Sequence, residues 1–328
     1  MNNTIIATQG LRKTFKSRNA KGGKTQVVEA VKGIDLQVQA GEVFGFLGPN
    51  GAGKSTTLRM LTTLIPPTSG QAHVAGYDLL REQGQVRRRI GYVSQAGGTD
   101  ISATGRENLL LQARLYRMSH REAAKRTNEL LVSLELESIA DRQAKTYSGG
   151  QRRRLDLALG MVNSPGLLFL DEPTTGLDPQ SRARLWDEMR KLRENGTTVF
   201  LTTHYLEEAD VLADRLAIID DGRIVAEGTP DTLKQLIAGD VVTLGLEMHN
   251  GEFHTAQSLL QQQPFVREIH PGEGEVQLYV EHGEENLPAI MRLLDGAGLR
   301  IRKVALTRPS LDDVFLRKTG RSLREAEQ

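Results

Sequence analysis

Residues 48–56 read G-P-N-G-A-G-K-S-T, and no other stretch of this chain restricts its fold as tightly. Before it, Val43, Phe44, Gly45, Phe46 and Leu47 form an apolar run of buried-strand length. After it, residues 57–64 carry apolar side chains at helical spacing. Strand, glycine-rich loop and helix in that order predict an α/β fold with a phosphate-binding loop. Gly48, Gly51 and Gly53 allow the backbone to curl so that successive N–H groups face an anion. The helix that follows adds its positive end. Lys54 is placed to reach β- and γ-phosphates, and the Ser55 hydroxyl to ligate Mg²⁺. The expected ligand is a nucleoside triphosphate.

Later segments supply matching chemistry. Residues 167–172, L-L-F-L-D-E, are an apolar strand ending in two acids, as buried parallel strands with ligands at their carboxyl ends do. Asp171 is placed to hold Mg²⁺ through water, and Glu172 to orient or deprotonate the attacking water. The competing reading makes both acids caps of the next helix. His204 ends another apolar strand, residues 198–202, and is expected to touch a γ-phosphate. Ser148 is a natural N-cap, and Gly149 and Gly150 expose amides at the start of a helix that runs to about residue 162. This is a second anion-binding helix start on a chain with one lysine-bearing loop. An economical occupant is the γ-phosphate of a nucleotide held by a second copy, which implies a head-to-tail dimer. Phe15 could stack on a purine base, although burial statistics alone favour a core phenylalanine.

At 328 residues the chain is long enough for two domains. Its 38% apolar and 25% charged content are those of an ordinary globular protein, and a net charge of +1 offers no general attraction to nucleic acid. Cysteine is absent, which suits a reducing compartment. No secretory signal or bilayer-length apolar run is visible, so a cytoplasmic location is expected. Ile5, Ile6 and Ala7 read as a short strand, residues 27–38 as a second, and the basic residues 16–25 between them as a mobile loop. The triplet Arg87, Arg88, Arg89 reads as a solvated helix face. Between residues 105 and 136 apolar positions (Leu109, Leu110, Ala113, Leu115, then Ala124, Leu130, Leu131, Leu134) predict two helices broken near Met118 and Ser119.

After Gly239 and Asp240 the pattern changes. Strand 241–247, helix 255–263, strands 265–270 and 275–281, helix 287–294 and strand 299–306 spell βαββαβ, a small ferredoxin-like domain. Its histidines, His249, His254, His270 and His282, are scattered and read as surface or strand-end residues. A last helix, residues 310–319, carries Leu311, Val314, Phe315 and Leu316 on one stripe that should dock.

The motif set from Thr4 to about Ile237 resembles the ATP-binding subunit of ABC transporters. The resemblance implies a P-loop ATPase domain at residues 1–238, with a β-rich N-terminal part and a helical subdomain at about 96–163, followed by an accessory α+β domain at 239–328. It also implies that Gly48, Pro49, Asn50, Gly51, Ala52, Gly53, Lys54, Ser55 and Thr56 hold ATP. Gln95 would be the lid glutamine beside Mg²⁺, Ser148, Gly149, Gly150 and Gln151 the signature, Asp178 the interface aspartate and His204 the switch histidine. Phe15 falls where the family has a base-stacking aromatic, commonly tyrosine, and Tyr147 where it often has leucine. The ending at residues 309–320, P-S-L-D-D-V-F-L-R-K-T-G, is similar to ATPase subunits of the daunorubicin-resistance type. Function as implied is ATP hydrolysis in a homodimer that drives export through a separate membrane permease, on the inner face of the membrane. The alternative is a soluble ATPase of the same superfamily acting on DNA or the ribosome. Such proteins usually insert a long coiled coil or a zinc site, or join two ATPase domains, and none of these is visible here.

Overall fold

A computed structural model describes residues 3–18, 25–235, 239–246, 252–271, 275–307, 309–320 and 322–323. The chain forms two compact units, residues 1–230 with 323–328, and residues 231–322. The sequence-based boundary lies further on, at 238/239. Gly239 is not a loose hinge there: at φ +98° its Cα lies so close to the Val280 carbonyl that a Cβ would collide with it.

The first unit begins with β1 (Thr4–Arg18), β2 (Thr25–Gln39) and β3 (Val43–Leu47), then α1 (Lys54–Leu61), β4 (Ser69–Val74), β5 (Tyr77–Asp78), α2 (Gln83–Arg89) and β6 (Ile90–Val93). Three helices follow, α3 (Gly105–Leu115), α4 (His120–Ser133) and α5 (Gly149–Gly160). Then come β7 (Leu167–Asp171), α6 (Pro179–Glu194), β8 (Thr198–Thr203), α7 (Leu206–Leu212), β9 (Arg215–Asp220) and β10 (Arg223–Gly228); α8 (Pro230–Gln235), which sequence alone would not separate from this domain, falls after its first residue in the second unit. An antiparallel sheet, β2-β1-β4-β5, faces a mainly parallel one, β10-β9-β3-β8-β7-β6. Between them Ile6, Val31, Ile34 and Val74 meet Phe44, Phe46, Phe169 and Phe200 and the inner side of α1. Phe200 stands at the centre, 5.4–5.6 Å from the other three rings. The opposite face of the parallel sheet is covered by α3–α6 through Leu109, Leu130, Leu155, Leu185 and Met189.

The parallel order β3-β8-β7-β6 decides where chemistry can occur. All four strands point the same way. Their carboxyl ends therefore bring the loop after Leu47, His204 after β8, Glu172 after β7 and Gln95 after β6 to one edge.

Some local expectations differ from the structure. The opening strand is fifteen residues long, because a polar alternating run beyond Ala7 still pairs with β2. Leu115 is 69% exposed, and Ala123 rather than Ala124 is buried, since spacing alone does not say which flank of an apolar stripe faces inward. Phe15 is 43% exposed and not a core residue. The break between α3 and α4 is where expected, and Ser119 with Glu122 caps α4. Arg87, Arg88 and Arg89 are exposed on α2.

The second unit carries β11 (Asp240–Leu246), α9 (Glu252–Gln261), β12 (Val266–Pro271), β13 (Glu275–Val280), α10 (Gly283–Gly296), β14 (Ile301–Thr307) and α11 (Leu311–Thr319). Its antiparallel order, β12-β13-β11-β14, is that of the expected βαββαβ fold. Val242, Leu244, Leu278, Leu260 and Ile290 form its core. Helix α11 buries Leu311, Val314 and Phe315, and Tyr279 donates to Asp313 at 3.0 Å. The His270 ring stands edge-on to Tyr279 at 5.3 Å, and His282 precedes α10 in a left-handed conformation. His249, Ile237, Glu247 and most of the basic loop lie outside the described residues, as does the His254 side chain.

Candidate functional site: an ATP-binding cleft

At the carboxyl edge of the parallel sheet lies a cleft of about 190 Å³. Its walls are Ala30, residues 49–51 and 53–56, Gln95 and Glu172. The glycines are required by geometry. At Gly53, φ is +105° and a Cβ would lie 2.6 Å from the Ala30 carbonyl. At Gly48 a Cβ would run into the backbone of Ile219. Ala30 is the extra residue of a β-bulge, because Lys13 pairs with Val31 and Thr14 with Glu29. The bulge thrusts its carbonyl at the loop.

Lys54 is 4% exposed. Its Nζ donates to the carbonyls of Gly48 at 2.7 Å and Pro49 at 3.1 Å, and stands 3.4 Å from Glu172 Oε1. Asp171 Oδ1 accepts from the hydroxyls of Ser55 at 3.0 Å and Thr202 at 2.7 Å. Glu172 Oε2 accepts from Gln95 Nε2 at 2.9 Å and Thr175 Oγ1 at 3.3 Å, and His204 Nδ1 lies 3.3 Å away. His204 and then Lys54 hold the Glu172 carboxyl down at about 2, against burial, which pushes it up. Glu172 also adopts φ +44°, a left-handed conformation that non-glycine residues seldom take.

The cleft thus gathers Gly48, Pro49, Asn50, Gly51, Gly53, Lys54, Ser55, Thr56, Gln95, Asp171, Glu172 and His204 around one edge. Ala52 sits behind the loop, accepting from the Gly222 amide at 3.0 Å. Ser148, Gly149, Gly150, Gln151 and Asp178 do not line it. Ser148 and Gln151 form a reciprocal capping box at the start of α5, and Tyr147 anchors that start from beneath by donating to Ile139 O at 2.7 Å. Gly150 is backed by Ser181, whose Oγ would meet a Cβ at 2.6 Å. Asp178 caps α6, accepting from the Ser181 amide and hydroxyl, and these bonds lower its pKa. Phe15 also lies off the lining. It pairs with Val28, two residues from Ala30, and with that half-exposed valine forms an apolar step beside the cleft.

The fit to a metal-bound phosphate is chemical. One carboxylate and one hydroxyl share a hydrogen bond and can turn together to a cation that brings phosphate oxygens as its other ligands.

Other residues shape the site without being legible beforehand. Arg153 is 8% exposed, and burial pulls its pKa below the usual arginine value. Its guanidinium donates to the carbonyls of Pro173, Ser94, Asp171 and Glu172, tying α5 to the ends of two strands. Asp156 on the same helix accepts from Gly98 and Thr99 just after Gln95. In sequence Arg153 is the middle of three arginines, and nothing local says which turns inward.

Residues 31–175 match the ABC transporter family, and residues 228–319 match the C-terminal domain of DrrA1-3-like ATP-binding proteins. The chain is 42% identical over 327 residues to the daunorubicin resistance ATP-binding protein DrrA3 of Streptomyces coeruleorubidus, covering 100% of this chain and 99% of that one. It is 36% identical over 309 residues to the linearmycin resistance ATP-binding protein LnrL of Bacillus subtilis, covering 94% and 98%. Among solved structures, a dimeric ATP-binding cassette bound to ADP and Pi in a post-hydrolysis state superposes with a TM-score of 0.61 at 30% identity, covering 68% of this chain and 98% of that one. With the phosphate-loop cleft at the sheet edge and a second unit matched by its own family model, the chain belongs to the ATP-hydrolysing, ATP-binding subunits of ABC transporters, of the daunorubicin-resistance type.

Proposed function

We propose that this chain powers export of a drug-like, amphipathic molecule through a separate membrane permease, by closing and reopening a head-to-tail homodimer around ATP. The observation that carries the dimer is the start of α5. Ser148 and Gly149 are exposed and lie outside their own chain's cleft; the Ser148 amide is taken by Gln151 in the capping box, and the Gly149 and Gly150 amides that follow it suit a phosphate held by a second copy. The related cassette with ADP and Pi is itself dimeric, which supports this reading. The export reading rests on relatives named for daunorubicin and linearmycin resistance.

Lys54 leaves the carbonyls of its own loop and Glu172 to meet the phosphates. Glu172 thereby loses a cation and regains basicity, and its Oε2 takes the proton of the water that Gln95 helps to hold. His204 faces the γ-phosphate, and Phe15 stacks on the base. Ser55 and Asp171, with Gln95, would hold Mg²⁺, which supplies neutralisation of phosphate charge. Asp156 and Arg153 fasten α5 to the Gln95 loop and to the end of β7, so a shift of Gln95 carries the helix start with it.

A second cleft of about 340 Å³, lined by Leu64, Arg87, Tyr92, Gln112 and Tyr116 and flanked by exposed Leu115, suits an apolar permease segment. Attachment to the inner face of the membrane runs through that partner. Among the described residues no helix is long and apolar enough to cross a membrane.

The test is affinity purification of a tagged Glu172→Gln chain from native membranes in mild detergent with ATP. A polytopic membrane protein at stoichiometric yield is expected. Recovery with ribosomal proteins or nucleic acid alone would favour the soluble alternative.

A further inference from the structure

His204 is held in an unusual way. Its Nδ1 stands 3.3 Å from Glu172 Oε2, close enough to help hold that carboxyl's pKa down, but the contact lacks hydrogen-bond alignment and does not fix the ring. A second contact does. The imidazole lies against the ring of Tyr205, with centroids 4.0 Å apart and planes at 43°. The Arg182 guanidinium sits over the Tyr205 ring at 4.7 Å and reaches Glu207 at 3.8 Å. Arg182 lies one turn into α6, and its amide donates to the carbonyl of Asp178, the cap of that helix. Tyr205 is anchored in turn, because its amide donates to Thr203 Oγ1 at 2.9 Å at the end of β8.

We infer that Tyr205, braced by Arg182, is a positioning residue that fixes the His204 ring for catalysis and couples its orientation to the start of α6. A tilted ring-on-ring contact this close restricts rotation of a side chain that no aligned hydrogen bond restrains, and a cation over the second ring holds that ring in place. Displacement of the α6 start would move Arg182, unload Tyr205 and free His204 to turn. The ring of Tyr205, rather than its hydroxyl, is the working part.

This rests on His204 acting in ATP hydrolysis, so the test separates the two. Steady-state ATPase and equilibrium binding of a fluorescent ATP analogue are measured on the purified full chain and on His204→Ala, Tyr205→Ala, Tyr205→Phe and Arg182→Ala. The expected result is a kcat about tenfold lower in Tyr205→Ala with nucleotide affinity within about twofold of the parent, since a lost orientation costs turnover rather than binding. Tyr205→Phe should restore kcat, and Arg182→Ala should lower it about threefold. An unchanged kcat in His204→Ala would remove the site reading itself. An inactive His204→Ala beside a normal Tyr205→Ala would overturn only the positioning role. Tyr205→Phe as slow as Tyr205→Ala would also overturn it, by assigning the effect to the hydroxyl. Should Tyr205→Ala fail to fold, Arg182→Ala decides: it leaves both rings in place, and a parental kcat there refutes the brace.

Discussion

At the scale of single residues, the centre of the site is a buried charge cluster whose balance changes with its occupant. Glu172 is 7% exposed, yet its carboxyl is held at about 2 against an ordinary 4.5 by His204 and Lys54. A depressed carboxylate contributes stability that is fully present above pH 4.5 and is lost as pH falls towards 2. A gap of that width corresponds to about 3 kcal/mol. Glu172→Gln should therefore be less stable than the parent at neutral pH, and the gap should narrow as pH falls through that window. Urea unfolding at a series of pH values would show it, and a gap independent of pH would refute the linkage. The residues of this cluster were legible because a fixed spacing and strand ends announce them. The left-handed turn of Glu172, the inward aim of Arg153 and the exposure of Phe15 were not. Arg153 is on a helix, where consecutive residues face directions about 100° apart whatever their chemistry; Phe15 is on a strand whose wet face only pairing decides, and the Glu172 φ is set by the backbone around it.

At the scale of elements, the phosphate loop is braced from behind by two segments, one of which, residues 27–38, reads in the sequence as a plain strand. The Ala30 bulge points its carbonyl at Gly53, and the turn between β9 and β10 closes the other side. There Gly222 donates to Ala52 O at 3.0 Å, accepts from Lys32 N at 2.8 Å and has φ +75°. A Cβ on Gly222 would lie 2.9 Å from Ala30 O. Gly222→Ala should cost about 1–3 kcal/mol and weaken ATP binding, although the residue touches no nucleotide. Gly196→Ala is the control. Its φ of +83° carries similar strain, but nothing lies within 4 Å of its Cβ and it precedes β8, at the far end of the sheet. It should lose stability and keep affinity; equal affinity losses in both would mean that global stability, not the brace, sets binding. The helices and the βαββαβ order were visible from periodicity, which survives wherever one face is buried. The length of β1 was not, because much of it carries a polar pattern and owes its form to pairing with β2.

At the scale of the whole molecule, the proposed head-to-tail dimer makes one chain hold half of two sites. Its phosphate loop opens on one cleft, while the α5 start with Ser148, Gly149 and Gly150 lies outside that cleft. A chain with Lys54→Ala loses the loop cation but keeps its helix start. A chain with Ser148→Arg keeps its loop but blocks the helix start with a bulky cation that no longer caps. Each alone should be inactive, because every site in either homodimer lacks one half. In a head-to-tail dimer of the two, one site carries both defects and the other carries none. Mixing the purified chains should therefore restore ATP hydrolysis. It should also restore an ATP-dependent rise in mass by light scattering once Glu172→Gln is added to both. If each chain instead built a whole site from its own residues, mixing two inactive chains would recover nothing. Activity on mixing therefore measures whether the second half of the site comes from a partner copy.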